Sequence, residues 1–379
     1  MIFVNPNAKS NKNIPNLSLA YAATIFKTKV IDQNTVDYPS DRFLNEPTDV
    51  LAISVQTRTL KEANRIKEEY LKKYPQAQVK TVSTAIDIQC CYPYLEWQNG
   101  ISFKEEFGDE YPFPDYELFD SFPVFEKKWK NGQWKYAIMT SLGCPYSCSY
   151  CMCKNRGWKA RTPENAYREI KQAVEKWGIK KFQILDDCFN FDQKRTVEFC
   201  RLIVSLKMSW SCTNGVRADR LNEESAKAMA NSGCEDVSFG IESTNPDILK
   251  NIKKGETMAQ IESAVKIAKK YFNKVNGYFI IGLPGSSYEK DLASLNWAKS
   301  MGINAHFSYH VPSKEGAIET DALFYGQGAK PMSDTYPKKL QEKIYKMTSA
   351  MRPQGGVPGL AGKIKSKIIS LFKNPFGHF

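Results

Sequence analysis

Along residues 134–311, short β-rich runs alternate with longer stretches in which apolar side chains recur every three or four positions. The short runs predict strands at Trp134–Thr140, Lys181–Leu185, Ser209–Thr213, Asp236–Ile241, Asn276–Gly282 and Asn304–Val311. The longer stretches predict helices near 163–177, 192–206, 222–232, 257–272 and 287–301. Strands that alternate with amphipathic helices are joined by crossovers and lie parallel. Six of them predict a partial (β/α)6 barrel, in which the loops after the strands converge on one face and ligands gather there. The same rhythm on a smaller scale runs through residues 1–92: a strand at Ile2–Asn5, a helix at 17–26, strands at 29–31 and 49–55, a helix at 58–74 and a strand at 78–83. This predicts a small, shortened, doubly wound α/β unit. Residues 93–132, rich in Tyr, Pro, Phe and acids, read as a linker to a core at 133–312. Residues 313–352 read as a helical extension with a helix near 336–350, and 353–379 as a basic amphipathic tail.

The unusual residues fall in the loops that follow the predicted barrel strands. After the first comes GCPYSCSYC, with Cys144, Cys148 and Cys151. Three thiolates around one short loop can hold three irons of a 4Fe-4S cluster and leave the fourth open to a small molecule. The competing reading is a structural zinc site with Cys153 as fourth ligand. Such sites are usually built from two separated cysteine pairs, and Cys151 and Cys153 are crowded together. After the second strand comes LDDCFN, with Asp186 and Asp187, and after the third TNGVRADRL, with Asn214 and Arg217. GIES, with Glu242 and Ser243, follows the fourth, and GLPG, with Gly282 and Gly285, the fifth. Cys188, Cys200, Cys212 and Cys234 fall in predicted core elements and read as packed thiols, whereas Cys90 and Cys91 are adjacent with no neighbouring ligand.

The cysteine triplet with aromatic Tyr150 just before its last member resembles the hallmark of the radical S-adenosylmethionine (SAM) superfamily. The ordered DDxF and GIES segments extend that resemblance over about residues 134–311. The resemblance implies a radical SAM barrel in which a cluster on Cys144, Cys148 and Cys151 cleaves SAM to a 5′-deoxyadenosyl radical, which then removes hydrogen from an organic substrate. It also implies an external electron donor such as flavodoxin or ferredoxin. Arg217 would meet the methionyl carboxylate, Asp186 and Asp187 the ammonium, and Glu242, beside Ser243, the ribose. Gly282 would let the backbone approach the adenine, and Tyr150 would border the cluster. Residues 1–92 with FPDYELFD resemble the Rossmann-like domain of the cobalamin-binding branch, which implies cobalamin-dependent C-methylation. The chain departs from that pattern: the glycine pair expected after QVKTVST is replaced by Ala85-Ile86-Asp87, and little sequence remains for a last strand and helix. Cobalamin-free rearrangement, epimerisation or dehydrogenation therefore stays open, as does a non-catalytic iron-sulfur or zinc-binding subunit.

Composition changes little. The 379 residues are 42% hydrophobic and 25% charged, with a net charge of +12, but the lysines are spread along helices and no dense basic run interleaved with aromatics points to nucleic acid. No apolar run is long enough to span a membrane and no secretory leader is read at the start, so a cytoplasmic protein is expected. His306 and His310 share parity with Ser308 and are expected on the inner face of the last strand. In the tail, Leu360, Ile364, Ile368 and Leu371 share a helical face with lysines elsewhere. That pattern suits either membrane-surface contact or packing on its own domain.

Overall fold

Capping chemistry sets where the helices begin. The computed structural model describes residues 1–7, 15–34, 41–55, 59–84, 95–97, 107–151, 153–155, 157–312 and 330–348. The Thr162 side chain accepts from the Asn165 N–H and Pro163 occupies the first turn of a helix over Pro163–Trp177, which Gly178 ends in the left-handed conformation. Asp192, Asn222, Thr257 and Ser287 cap the next long helices in the same way. Each such cap contributes about 1 kcal/mol.

Elements are numbered in chain order: β1 Ile2–Asn5, α1 Leu17–Phe26, β2 Val30–Asp32, β3 Val50–Val55, α2 Leu60–Lys73, β4 Gln78–Thr84, β5 Leu95–Trp97 and α3 Phe122–Lys130. There follow β6 Tyr136–Ile138, β7 Ser141–Leu142, β8 Lys159–Ala160, α4 Pro163–Trp177, β9 Lys181–Ile184, α5 Gln193–Ile203, β10 Ser209–Cys212 and α6 Glu223–Asn231. The last are β11 Val237–Glu242, α7 Pro246–Asn251, α8 Met258–Tyr271, β12 Val275–Ile281, α9 Tyr288–Ser300, β13 Asn304–Tyr309 and α10 Lys338–Met347.

The six barrel strands run parallel in two sets, ordered β10-β9-β6 and β11-β12-β13. Parallel bridges Trp210↔Cys234 and Val216↔Phe239 link the two sets. Short β7 and β8 pair antiparallel outside this order, so the cysteine loop is carried at the tip of a small hairpin.

The N-terminal sheet has the order β2-β1-β3-β4-β5, parallel except for edge strand β5. Side chains alternate across it. Phe3 and Ala52 join the core shared with the barrel, whereas Val4, Leu51 and Ile53 pack with Ile66 and Tyr70 beneath α2. Helix α1 is buried from Leu17 through Ala23, as expected of a helix covered on both sides. Asn5 lies at the end of β1 and donates to Asp32 Oδ1 at 2.8 Å, which also accepts from Asn34 at 3.2 Å.

Residues 107–130 read from composition as part of a linker, but they are packed. Tyr116, Phe125 and Trp129 are nearly solvent-free; Tyr116 meets Tyr136 and Trp177 of the barrel edge to face, and Trp129 meets Tyr136 in the same way. Burying a large apolar side chain stabilises by about 1.5–3 kcal/mol, which explains why an acid- and proline-rich segment is held down. Phe119 also bridges to Val30, so the segment ties the small sheet to the barrel. Cys90, Cys91, Ala85-Ile86-Asp87 and the basic tail lie outside the described residues.

Candidate active site

The cysteine loop is shaped by partners that are not metal ligands. Gly143, at φ 84°, turns the chain in a conformation that favours glycine. Its N–H donates to Asp187 Oδ2 at 3.0 Å, and the Cys153 thiol reaches Asp187 Oδ1 at 3.4 Å. One carboxylate thus holds both ends of the triplet. In its middle, the Ser149 N–H donates to the Ile252 carbonyl at 2.9 Å, and Cys148 Sγ lies 4.0 Å from the Lys254 carbonyl. Cys148 is buried, while Cys144 and Cys151 are half-buried. Among the described residues no three His, Cys, Asp or Glu side chains converge tightly enough for a single metal ion. A polynuclear cluster spreads its thiolates over several irons and asks for no such convergence. The triplet therefore fits a three-thiolate cluster site. A hydrogen bond from the Cys188 thiol draws Cys144 down to about 7, the direction a thiolate ligand needs, although burial opposes it.

A buried charge network faces the loop. The Arg217 guanidinium lies 3.4 Å over the Tyr146 ring, donates to Asp219 Oδ1 at 2.8 Å and reaches the Lys254 carbonyl at 3.2 Å. Lys254 is 6% exposed, with its ammonium 3.3 Å from Glu242 and 3.4 Å from Glu256. Burial disfavours its charge, but the Glu256 and Glu242 carboxylates outweigh that and hold its pKa above the ordinary lysine value. Glu242 sits at φ 66°, at a register shift against β12 between Gly240 and Glu242. Bulges of this kind re-aim a side chain. A Cβ at Gly240 would lie 2.7 Å from Glu242 Oε1, so the smallest residue leaves room for the carboxylate. Desolvation first, then the Glu242 carboxylate, pushes the Tyr150 phenol well above its usual pKa, which places Tyr150 against Glu242.

The structure thus gathers Cys144, Cys148, Cys151, Tyr150, Asp187, Arg217 and Glu242 around one loop. The donors of Arg217 are already engaged by Asp219 and by carbonyls, so taking a carboxylate there requires exchange of partners. Asp186 lies a layer deeper, 2% exposed, accepting from the Thr140 N–H and hydroxyl at 2.6 Å each and from Ser141 at 2.7 Å. Its oxygens anchor the start of the loop rather than face an open space. Ser243 is buried and its hydroxyl accepts from the Asn245 N–H. The backbone of Gly282 is also engaged. Its N–H donates to Asp291 at 2.9 Å and its carbonyl accepts from Ser333 at 2.7 Å, while Gln341 fills the space where a Cβ would point. Sequence reasoning missed Lys254, Tyr146 and Cys188 as neighbours of the site. Lys253-Lys254 after a short helix reads as surface, and only the turn between α7 and α8 buries the second lysine.

With this geometry in place, comparison with known proteins defines the class. Residues 138–298, most of the barrel, match the radical SAM superfamily. An uncharacterized methyltransferase of Pyrococcus horikoshii is 36% identical over 208 residues, covering 54% of this chain and 44% of its own length. A cytidylyl-2-hydroxyethylphosphonate methyltransferase of Streptomyces wedmorensis is 28% identical over 212 residues, covering 52% and 40%. The chain thus spans less than half the length of these curated relatives. Among solved structures, the radical SAM methyltransferase TsrM from Kitasatospora setae, with cobalamin and a 4Fe-4S cluster bound, has a TM-score of 0.63 at 16% identity over 81% of this chain and 74% of its own. The cobalamin-dependent SAM radical enzyme OxsB has a TM-score of 0.61 at 15% identity over 92% and 55%. At these identities the likeness is one of fold, and it takes in the small N-terminal sheet as well as the barrel. The match brings with it a 4Fe-4S cluster and SAM as cofactors. No helix among the described residues is long and apolar enough to cross a membrane.

Proposed function

We propose that this chain is a cobalamin-dependent radical SAM methyltransferase of the cytoplasm, acting on an unactivated carbon of a small organic molecule with an external flavodoxin- or ferredoxin-like donor. The observation that carries the reading is the N-terminal sheet of order β2-β1-β3-β4, joined through α1 and residues 107–130 to a barrel that bears a three-cysteine loop. Strand order reverses between β1 and β3, and parallel sheets bind ligands outside the strand ends at such a point. When bound, the cluster supplies the electron that cleaves SAM, and cobalamin supplies a transferable methyl group.

The rest is the work of this chain's own side chains. Cys144, Cys148 and Cys151 hold the cluster, and Asp187 fixes the ends of their loop. Arg217 and Lys254 set positive charge beside the loop, and Lys254 keeps Glu242 oriented as an acceptor for a hydroxyl or ammonium donor. The buried pair Arg161–Glu169, at 2.5 Å with both side chains 1% exposed, braces the loop from below through the Met139 carbonyl.

The test is an absorption spectrum of the anaerobically reconstituted protein after incubation with hydroxocobalamin and removal of the unbound fraction. Stoichiometric corrin bands beside the cluster absorbance are expected. Cluster absorbance without corrin would overturn the cobalamin part and leave cobalamin-free rearrangement, epimerisation or dehydrogenation. That alternative draws on Ala85-Ile86-Asp87 standing where glycines are expected.

A further inference from the structure

The outer side of the cysteine loop carries positive charge. Between Glu126 and Glu164 the sequence holds no Asp or Glu but eight Lys and Arg, and the cysteine triplet sits inside that stretch. Buried Cys148 lies between exposed Ser147 and Ser149, so the loop reaches the protein surface at its middle.

The turn between α7 and α8 packs against that middle. The Ser149 N–H donates to the Ile252 carbonyl at 2.9 Å, which sets exposed Lys250 and Lys253 beside the loop. From the other side the Asn155 N–H donates to the Tyr146 carbonyl at 3.0 Å and brings exposed Lys154 to it. Arg220, with 41% of its side chain exposed, donates to the Tyr146 hydroxyl at 3.0 Å and adds a fourth cation. Among the described residues Lys154, Lys250 and Lys253 have no acidic partner, whereas Lys130 is paired with Glu126 and Lys176 with Glu117. The same turn borders a cavity of about 320 Å³ lined by apolar Pro246, Leu249 and Met258 together with Lys250. Glu256 also lines it, but is buried, with its carboxylate 3.4 Å from Lys254 and 3.9 Å from Arg217. The exposed acid on this stretch is Asp247, in the first turn of α7.

An apolar centre with a charged rim is the anatomy of a protein interface. The three lysines stand on the surface around the loop and do not converge in a buried pocket, as they would to grip a small anion. We propose that this face docks an acidic one-electron donor protein of flavodoxin or ferredoxin chemistry. The proposal rests on the radical SAM reading above and adds the surface through which its electrons enter. One electron leaves the donor's reduced flavin or iron-sulfur centre and enters the cluster site behind Ser147 and Ser149. The donor is oxidised by one electron, and no covalent bond forms or breaks. Complementary charge speeds such encounters and orients them, an effect that salt screens.

The test is isothermal titration of the anaerobically reconstituted full chain with two acidic probes, a flavodoxin and a ferredoxin, at low and high salt. Binding of at least one is expected, weakening as salt rises. Lys154→Glu, Lys250→Glu and Lys253→Glu combined should weaken it at least about tenfold and remove most of the salt dependence. Met258→Glu puts an acid on the apolar centre, in the first turn of α8 where the helix dipole favours it, and should also weaken binding. The control combines Lys227→Glu, Lys266→Glu and Lys299→Glu, equally exposed lysines on α6, α8 and α9, and should stay within about twofold of wild type because distant charges are screened. No binding of either probe, equal weakening by the two triple variants, or tighter binding of a single-stranded RNA than of both proteins would overturn the assignment. 5′-Deoxyadenosine formation separates the two levels. With dithionite, a small reductant that needs no docking, the triple variant at the loop should match wild type, whereas with the protein donor its rate should fall in step with affinity. Dithionite-driven formation without donor binding sinks the docking face alone, and donor binding without any formation sinks the radical reading alone.

Discussion

The two ends of the barrel solve opposite problems. Around the cysteine loop the buried charges are answered: Lys254 by Glu242 and Glu256, Arg217 by Asp219 and two carbonyls, Asp186 by Thr140 and Ser141. Near the starts of β11, β12 and β13 the polar groups instead border an open cavity, lined by Asp236, Ser238, Asn276, Asn304 and the exposed Lys274 among others. The difference teaches that the loop end is a frame whose buried charges are already paired, which is what the proposed cluster site requires of its surroundings. The opposite end is open and polar, and side chains such as Lys274 are free to meet solvent.

The contrast can be broken most severely at the thiols. Cys148→Ala should abolish cluster incorporation and lower 5′-deoxyadenosine formation by at least about 100-fold, since losing a metal ligand or its support costs 10–100-fold or more; iron analysis and low-temperature EPR would check it. Next in size, Glu169→Ala strands Arg161 without its buried partner and should cost about 3–5 kcal/mol in denaturant unfolding of the anaerobic protein. Asp187→Ala releases the Gly143 N–H and the Cys153 thiol and should cost about 1–3 kcal/mol, seen as faster loss of iron to a chelator, with Asp187→Asn intermediate. Equal chelation rates for wild type and Asp187→Ala would mean that the frame does not depend on this carboxylate. The smallest effect lies just before β11. Burial raises the Glu235 pKa, but the hydrogen bonds from Lys135 and Ser209 and the charges of Lys135 and Lys181 outweigh it, leaving it lowered to about 2. Its contribution is therefore present above the ordinary glutamate range and lost as pH falls from about 4.5 toward 2. Glu235→Gln should flatten the stability profile in that window alone.

How much of this was legible in the sequence depends on what each feature needs. The long barrel helices lie within one to three residues of the sequence reading, because their caps are local: Thr162-Pro163, Asn222 and Thr257 announce themselves. The barrel order and the cysteine loop were equally plain from spacing. Short α7 was missed, since one turn and a half carries too little periodicity. The aromatic segment at 107–130 was read as a linker because its prolines and acids mask side chains whose partners, Tyr136 and Trp177, lie further along the chain. Within the site, residue type was legible and satisfaction was not. An aspartate after a strand looks the same whether it faces a ligand or, like Asp186, accepts three internal hydrogen bonds.

The most direct test of the central claim is quantification of 5′-deoxyadenosine after the anaerobically reconstituted full chain is mixed with SAM and dithionite. The account predicts formation that depends on dithionite, is lost in Cys144→Ala, Cys148→Ala and Cys151→Ala alike, and survives in Cys153→Ala. Absence of 5′-deoxyadenosine from wild-type protein with a full cluster, or equal formation by the three cysteine variants, would contradict it.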